Sequence, residues 1–276
     1  MKLATLRLKD GNTAAARVEG GEYVEIPGVA DVGALLGLED WREIARAADG
    51  SRHSGAEVSL GTVVPSPSKV ICVGLNYAAH IEEMGRDLPV HPTLFAKFAD
   101  TLTGPYDEIE SVNEDSQMDW EGELAIIVGS ECRRVSETEA GDVIAGYTIA
   151  NDISMREWQA RTSEWLQGKI WSRSTPVGPV MLTADEFDRK EAMIRTSVNG
   201  KIMQEHSTDD LVFTPEYLVS YISTMIPLRP GDMILTGTPG GVGKARDPQI
   251  FLNPGDEVEV EIDDIGSIRS GIVEPS

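Results

Sequence analysis

The stretch "DWEGELAIIVG", Asp119 to Gly129, sets two glutamates one residue apart at the head of an apolar run that belongs inside a protein. In an extended strand side chains alternate between faces, so Glu121 and Glu123 share one face and Gly122 leaves the other bare. Carboxylates held side by side repel each other and need a cation, a shared proton or open water. Whatever this chain folds into must bury the strand and also deal with a doubled negative charge at its head.

The rest of the chain reads as further short strands. They fall at Leu3 to Leu8, Ala14 to Val18, Tyr23 to Ile26, Leu94 to Lys97, Leu124 to Val128 and Val143 to Ala150, with "DMILTG", "EVEVEI" and "SIRSGIV" near the end. Helical pieces are expected near Val32 to Leu36 and Trp41 to Ala47, from Asn76 to Gly85, and from about Ser154 to Trp165. Asn199-Gly200 lies between two strand-like arms and signals a hairpin, because that pair accepts the positive φ angles of a tight turn. Thr214-Pro215 is a helix start, with Thr as the cap and Pro in the first turn. "VVPSPSKV", Val63 to Val70, has a connector's composition and divides a small amino-terminal domain, 1–64, from a larger one, 65–276. Strands dominate without regular strand-helix alternation, which predicts a mixed, β-rich α+β roll and not a doubly wound sheet.

Forty-six acidic residues against 24 basic ones give a formal charge of −22, which argues against nucleic acid or an anionic membrane as partner. A small anionic substrate binds only where local cations overrule that field. Two cysteines, Cys72 and Cys132, are too few for a disulfide framework or a zinc cluster. The amino terminus lacks a signal-peptide pattern, and no stretch approaches the ~20 apolar residues that span a bilayer. A cytoplasmic location is the expectation.

A third carboxylate, Asp152, stands in "GYTIANDISMREWQ" where an apolar strand passes into a helix. Three carboxylates suit a hard divalent ion, Mg²⁺ first and Mn²⁺ or Ca²⁺ after it, with open positions for water or substrate. Counting ionised groups, such a set would carry about minus one with its ion. The competing reading is a solvated strand edge, with Asp152 as a helix cap. His80 and Glu83 are three apart in the expected helix, so the carboxylate could orient the imidazole as a general base, or the two form a chance surface pair. Arg156 and Lys169 could hold a substrate carboxylate or an oxyanion, or make surface salt bridges. "LTGTPGGVGK" fails as a phosphate loop, because 238 is Thr and 245 is Ala. Its N–H groups and Thr238 either face an anion or form a plain turn.

In order and spacing, "VGLNYAAHIEEMG", "LFAKF", "DWEGELAIIVG", "GYTIANDISMREWQ", "WLQGK", "TPVGP", "VNGKIMQ", "LRPGDMILTGTPGGVG" and "GDEVEVEIDDIG" resemble the fumarylacetoacetate hydrolase family from about Lys69 onward. The resemblance implies an α+β, mostly β fold: a mixed β-sandwich roll with a small amino-terminal α/β domain, assembled as a homodimer. It implies that Glu121, Glu123 and Asp152 ligate Mg²⁺ or Mn²⁺. His80 and Glu83 become the lid pair that positions the attacking water, and Lys169 an active-site lysine. Lys97, Arg156, Gln159 and Thr238 become substrate contacts. Two departures stand out: Ile170-Trp171-Ser172 replaces the Phe-Asp that many relatives carry after the lysine, and Leu75 stands where some acylpyruvate-cleaving members have Arg. The expected reaction is metal-dependent hydrolysis of a carbon-carbon bond in a small anionic oxo acid, an acylpyruvate such as fumarylpyruvate. Oxaloacetate decarboxylation and isomerisation or decarboxylation of a hydroxydiene-dioate are the alternatives on the same site, and a closed, non-catalytic metal-binding module is the remote one.

Overall fold

In a computed structural model of the chain, residues 1–55, 58–78, 81 and 87–275 are described. A 12-stranded mixed sheet runs along its main path through Arg52–Ser54, Glu22–Glu25, Thr13–Glu19, Lys2–Arg7, Thr175–Thr183, Ile144–Asn151, Gly122–Val128, Met233–Leu235, Val70–Gly74 and Thr93–Lys97. A 5-stranded sheet of Lys201–Ser207, Met193–Val198, Glu257–Ile262, Gly266–Val273 and Ile109–Glu110 packs against it.

All seven residues of Gly122–Val128 are buried, because both faces of this strand are covered. Leu124 and Ile126 meet Ile194, Val260 and Ile268 of the smaller sheet. Ala125 and Ile127 point the other way, into a core shared with Cys72, Leu235 and the amino-terminal Val32 and Leu35. A strand covered on both sides reads as a continuous apolar run, which is why "LAIIV" does not alternate. Burying each such large side chain stabilises the fold by roughly 1.5–3 kcal/mol.

The amino-terminal strands extend the large sheet, with Lys2 opposite Leu182 and Leu3 opposite Met181. Arg7 fastens the join with two hydrogen bonds to Asp107, each 2.6 Å. The expected hairpin joins Met193–Val198 to Lys201–Ser207, with φ of 50° at Asn199 and 75° at Gly200. The helix Pro215–Met225 starts as expected, the Thr214 hydroxyl accepting from the Tyr217 N–H at 3.2 Å.

The single helix expected from Ser154 to Trp165 is not formed. Ser154–Met155 pairs with Met118–Asp119, a short helix occupies Arg156–Gln159, and a second, Leu166–Lys169, follows a turn. The two turns of helix pack so closely that a Cβ on Gly168 would lie 2.5 Å from the Gln159 Cβ. A straight helix could not have turned Arg156 and Lys169 onto the one carboxylate they share, Glu121. The helix expected from Asn76 to Gly85 falls largely outside the described residues. Among the described residues, no helix is long and apolar enough to cross a membrane.

Candidate active site

The strand register brings the acidic residues together. Gly122 pairs with Asn151 and Glu123 with Ala150, and the Asp152 N–H donates to the Glu121 carbonyl at 2.8 Å. Asp152, thirty-one positions from Glu121 in sequence, thereby becomes its neighbour. Oxygens of Glu121, Glu123 and Asp152 lie within 4.8 Å of one another, and all three residues are buried. On the other face of the strand, a Cβ at Gly122 would sit 2.3 Å from Thr196 Oγ1 and 2.8 Å from Val260 Cγ1. Glycine is required there because the smaller sheet rests directly on the backbone.

Three buried cations surround this acid. The Lys169 ammonium donates to Glu121 Oε2 at 2.6 Å and to Asp152 Oδ2 at 2.7 Å. Lys97 donates to Asp152 Oδ1 at 2.7 Å and to the Lys169 carbonyl. Arg156 reaches Glu121 Oε1 at 2.6 Å and Asp119 Oδ2 at 2.8 Å. Asp119, fully buried, also accepts from the Gly243 N–H at 2.7 Å and the Lys244 N–H at 3.0 Å. The glycine-rich loop therefore does present its N–H groups to anions, and the anions are the protein's own carboxylates; Gly237 N–H likewise meets Glu123 Oε2 at 2.7 Å.

Asp119 was not among the candidates drawn from the sequence. Its signal was present: residues 119, 121 and 123 share strand parity, so a third acid falls on the same face.

These groups affect one another's ionisation. Burial disfavours charge on Asp152, but Lys169 and Lys97 outweigh it and hold the carboxyl below its ordinary range. Burial likewise opposes the charges of Lys169 and Arg156, yet their carboxylate partners win and both stay firmly protonated. Glu123 goes the other way: burial first, then Asp152 and Glu121, push its pKa well above the usual carboxylate range. Among the described residues four carboxylates face three cations, and the carboxyl left without an ion pair is Glu123.

A divalent cation fits this donor set. Each carboxylate oxygen has lone pairs beyond those already engaged, the three groups can reach a common ion, and the ion supplies the positive charge Glu123 lacks. Counting charges, the loaded cluster then carries about plus one and not minus one, because the sequence count omitted Lys97, Lys169, Arg156 and Asp119. A locally positive site inside a protein of charge −22 is what an anionic substrate requires.

The cluster opens onto a cavity of about 470 Å³ lined by Glu121, Arg156, Gln159, Lys169 and Thr238. Gln159 accepts from Arg156 at 3.0 Å, and Thr238 donates to the Gly122 carbonyl at 2.9 Å while accepting from Gln204 at 2.8 Å. Lys97 does not line the cavity and is sealed behind Asp152. The walls are largely apolar, with Phe95 and Trp165 edge to face at 5.8 Å between ring centroids. Trp165 lies so close to Gly74 that a Cβ there would be 2.2 Å from its ring. Leu75, also on the wall, adopts φ of 57°, a left-handed conformation uncommon for a non-glycine residue. His80 and Glu83 lie outside the described residues.

Comparison with known proteins matches the chain to a family. The family model described as fumarylacetoacetate (FAA) hydrolase, C-terminal, matches residues 69–273. A rat (Rattus norvegicus) protein named oxaloacetate tautomerase Fahd2a, mitochondrial, is 41% identical over 220 residues, which is 79% of this chain and 70% of that one. The solved structure of a fumarylacetoacetate hydrolase from Exiguobacterium antarcticum superposes with a TM-score of 0.90 at 32% identity, covering 100% of both chains. That of a 2-hydroxyhepta-2,4-diene-1,7-dioate isomerase from Mycobacterium marinum gives 0.82 at 32% identity, covering 100% of this chain and 99% of that one.

Proposed function

The chain belongs to the fumarylacetoacetate hydrolase family, and from that premise we propose that it hydrolyses the C3–C4 bond of a 2,4-dioxo acid, with Mg²⁺ or Mn²⁺ held by Glu121, Glu123 and Asp152. The observation that carries this reading is the group of three buried, mutually close carboxylates, of which Glu123 has no ion pair among the described residues, beside a cation-lined cavity. A bound divalent ion supplies Lewis acidity, drawing electron density from a 2-oxo carbonyl and easing departure of an enolate.

Lys169 spends two of its three N–H bonds on Glu121 and Asp152 and keeps the third for a substrate oxygen. Being raised in pKa by those partners, it acts as a donor and not as a base. Arg156 holds positive charge on the same wall, fixed from behind by Asp119. The proton from water is assigned to His80, oriented by Glu83, as their spacing and the resemblance to the family imply. Water adds to the C4 carbonyl and gives up a proton to His80. The C3–C4 bond then breaks, its electron pair passing into the pyruvate enolate, while the acyl part leaves as a carboxylic acid. Lys169 and Arg156 offset the charge that develops on the C2 oxygen. Protonation at C3 completes pyruvate.

A second reading keeps the enolate and breaks no carbon-carbon bond: proton transfer within a 2-oxo diacid. The name of the rat relative, an oxaloacetate tautomerase, favours it. The test is incubation of acylpyruvates and oxaloacetate with protein and Mn²⁺, following ultraviolet absorbance and identifying products by NMR. Stoichiometric pyruvate and carboxylic acid, abolished by EDTA and by His80→Ala, is the expected result. Products that retain every carbon would establish the second reading, and activity indifferent to EDTA would remove the metal from both.

A further inference from the structure

A closed ring of hydrogen bonds engages both backbone polar groups of Gly122, the residue between the two glutamates. The Gly122 N–H donates to Gln204 Oε1 at 3.1 Å, Gln204 Nε2 donates to Thr238 Oγ1 at 2.8 Å, and the Thr238 hydroxyl donates to the Gly122 carbonyl at 2.9 Å. The second hydrogen on Nε2 goes to the Pro239 carbonyl at 2.8 Å. A backbone N–H only donates and a carbonyl only accepts, so the two ends of the amide are fixed. Thr238 must then accept from Gln204 and give its own hydrogen to Gly122.

Gln204 comes from the smaller sheet, is 1% exposed and does not line the cavity. Thr196, its partner across the hairpin, also abuts Gly122, but among the described residues its hydroxyl has no hydrogen bond. Past Leu235 the loop follows the acidic strand residue by residue: the Thr236 N–H meets the Leu124 carbonyl at 3.0 Å, the Gly237 N–H meets Glu123 Oε2 at 2.7 Å, and Thr238 holds Gly122. Gln204 grips this loop at Thr238 and Pro239 and the strand at Gly122. The N–H that holds Glu123 thus sits on a segment tied to the backbone between the two glutamates.

We propose that Gln204 is a positioning residue for the acidic cluster: it fixes the separation of Glu121 and Glu123 and holds Gly237 against Glu123, so that the carboxylates meet a divalent ion in one geometry. The proposal rests on the reading of Glu121, Glu123 and Asp152 as that ion's ligands. An amide suits the role because one side chain must accept at one atom and donate twice from another. Groups that orient metal ligands in this way are worth about 10–100-fold in affinity.

The test is titration of the full chain with Mn²⁺, read by electron paramagnetic resonance, with urea unfolding of the ion-free protein alongside. Gln204→Met keeps the length of the side chain and removes its hydrogen bonds. It should weaken Mn²⁺ binding by about 10–100-fold and change the line shape of the bound ion, in a chain that still unfolds cooperatively. Thr238→Val should also weaken binding, Thr238→Ser should restore it, and the double variant Gln204→Met with Thr238→Val should bind little worse than Gln204→Met alone, because both break one ring. If Gln204→Met does not fold, a loss in Thr238→Val that Thr238→Ser restores supports the ring, and equal binding by the two overturns it. Wild-type affinity and line shape in Gln204→Met, or losses that multiply in the double variant, overturn the proposal. If wild type itself binds no Mn²⁺, the metal reading fails and the proposal with it; if only the variants bind normally, the metal reading stands and the role of Gln204 falls.

Discussion

Asp232 has no exposed side-chain surface, and its charge is fully answered by its surroundings. It accepts from the Ser68 hydroxyl at 2.6 Å, from the Lys69 N–H at 3.0 Å and from the Arg229 N–H at 2.8 Å, and the Lys69 ammonium lies 2.6 Å away. Glu123 is buried just as deeply but has one hydrogen bond, from Gly237, and two other carboxylates for company. The first arrangement closes on itself with groups from its own turn and the adjoining strand, and stabilises the fold. The second leaves a carboxyl whose charge, once ionised, the protein alone does not neutralise. Burial therefore does not separate a structural carboxylate from a functional one, whereas the count of donors and cations around it does.

The contrast can be broken most forcefully at Asp152. Asp152→Asn removes the charge partner of two buried lysines and should destabilise the fold by about 3–5 kcal/mol, read from urea unfolding, with loss of Mn²⁺ binding. Asp232→Asn should cost about 2–3 kcal/mol in the same assay, because hydrogen bonds to a charged acceptor are weakened. Activity per folded molecule should be unchanged, and a drop in it would show that the two regions are not independent. Glu123→Gln should behave in reverse: ion-free stability within about 1 kcal/mol of wild type, since the amide matches the protonated acid in shape, but Mn²⁺ affinity lower by at least about 100-fold.

Asp107 sharpens the comparison through pH. Burial works against its charge, but the Arg7 guanidinium, the Thr103 hydroxyl and the Gly104 N–H hold its carboxyl well below its ordinary value of 3.8. A carboxylate depressed in this way adds stability above 3.8 and loses it as the pH falls through the lower, folded value. The difference in urea midpoint between wild type and Arg7→Met should therefore be largest near neutrality and shrink as the pH is taken below 3.8.

Much of this was legible in the sequence because it is local. Period-two spacing put Glu121 and Glu123 on one face, Asn199-Gly200 dictated a tight turn, and Thr214-Pro215 started a helix at the residue expected. What escaped was set by contacts between distant segments. The break in the expected helix after Gln159 depends on Gly168 packing against it, which periodicity does not report. Where the ammonium of Lys97 would go, beneath Asp152, depends on strand order. The sign of the loaded cluster was misread for the same reason, since three of its charges arrive from other elements. The proposed dyad of His80 and Glu83 falls outside the described residues and stays a proposal.

Gly122 carries no side chain, yet it sets the mechanical tolerance of everything beside it. Its bare backbone lets one sheet lie flush on the other, so the two glutamates flanking it are mounted on a wall with no slack behind. Even an alanine there would act as a wedge, prying the layers apart and splaying the acidic grip from the rear. A position that leaves no room for a side chain thus braces the site without lending a side-chain atom to its chemistry.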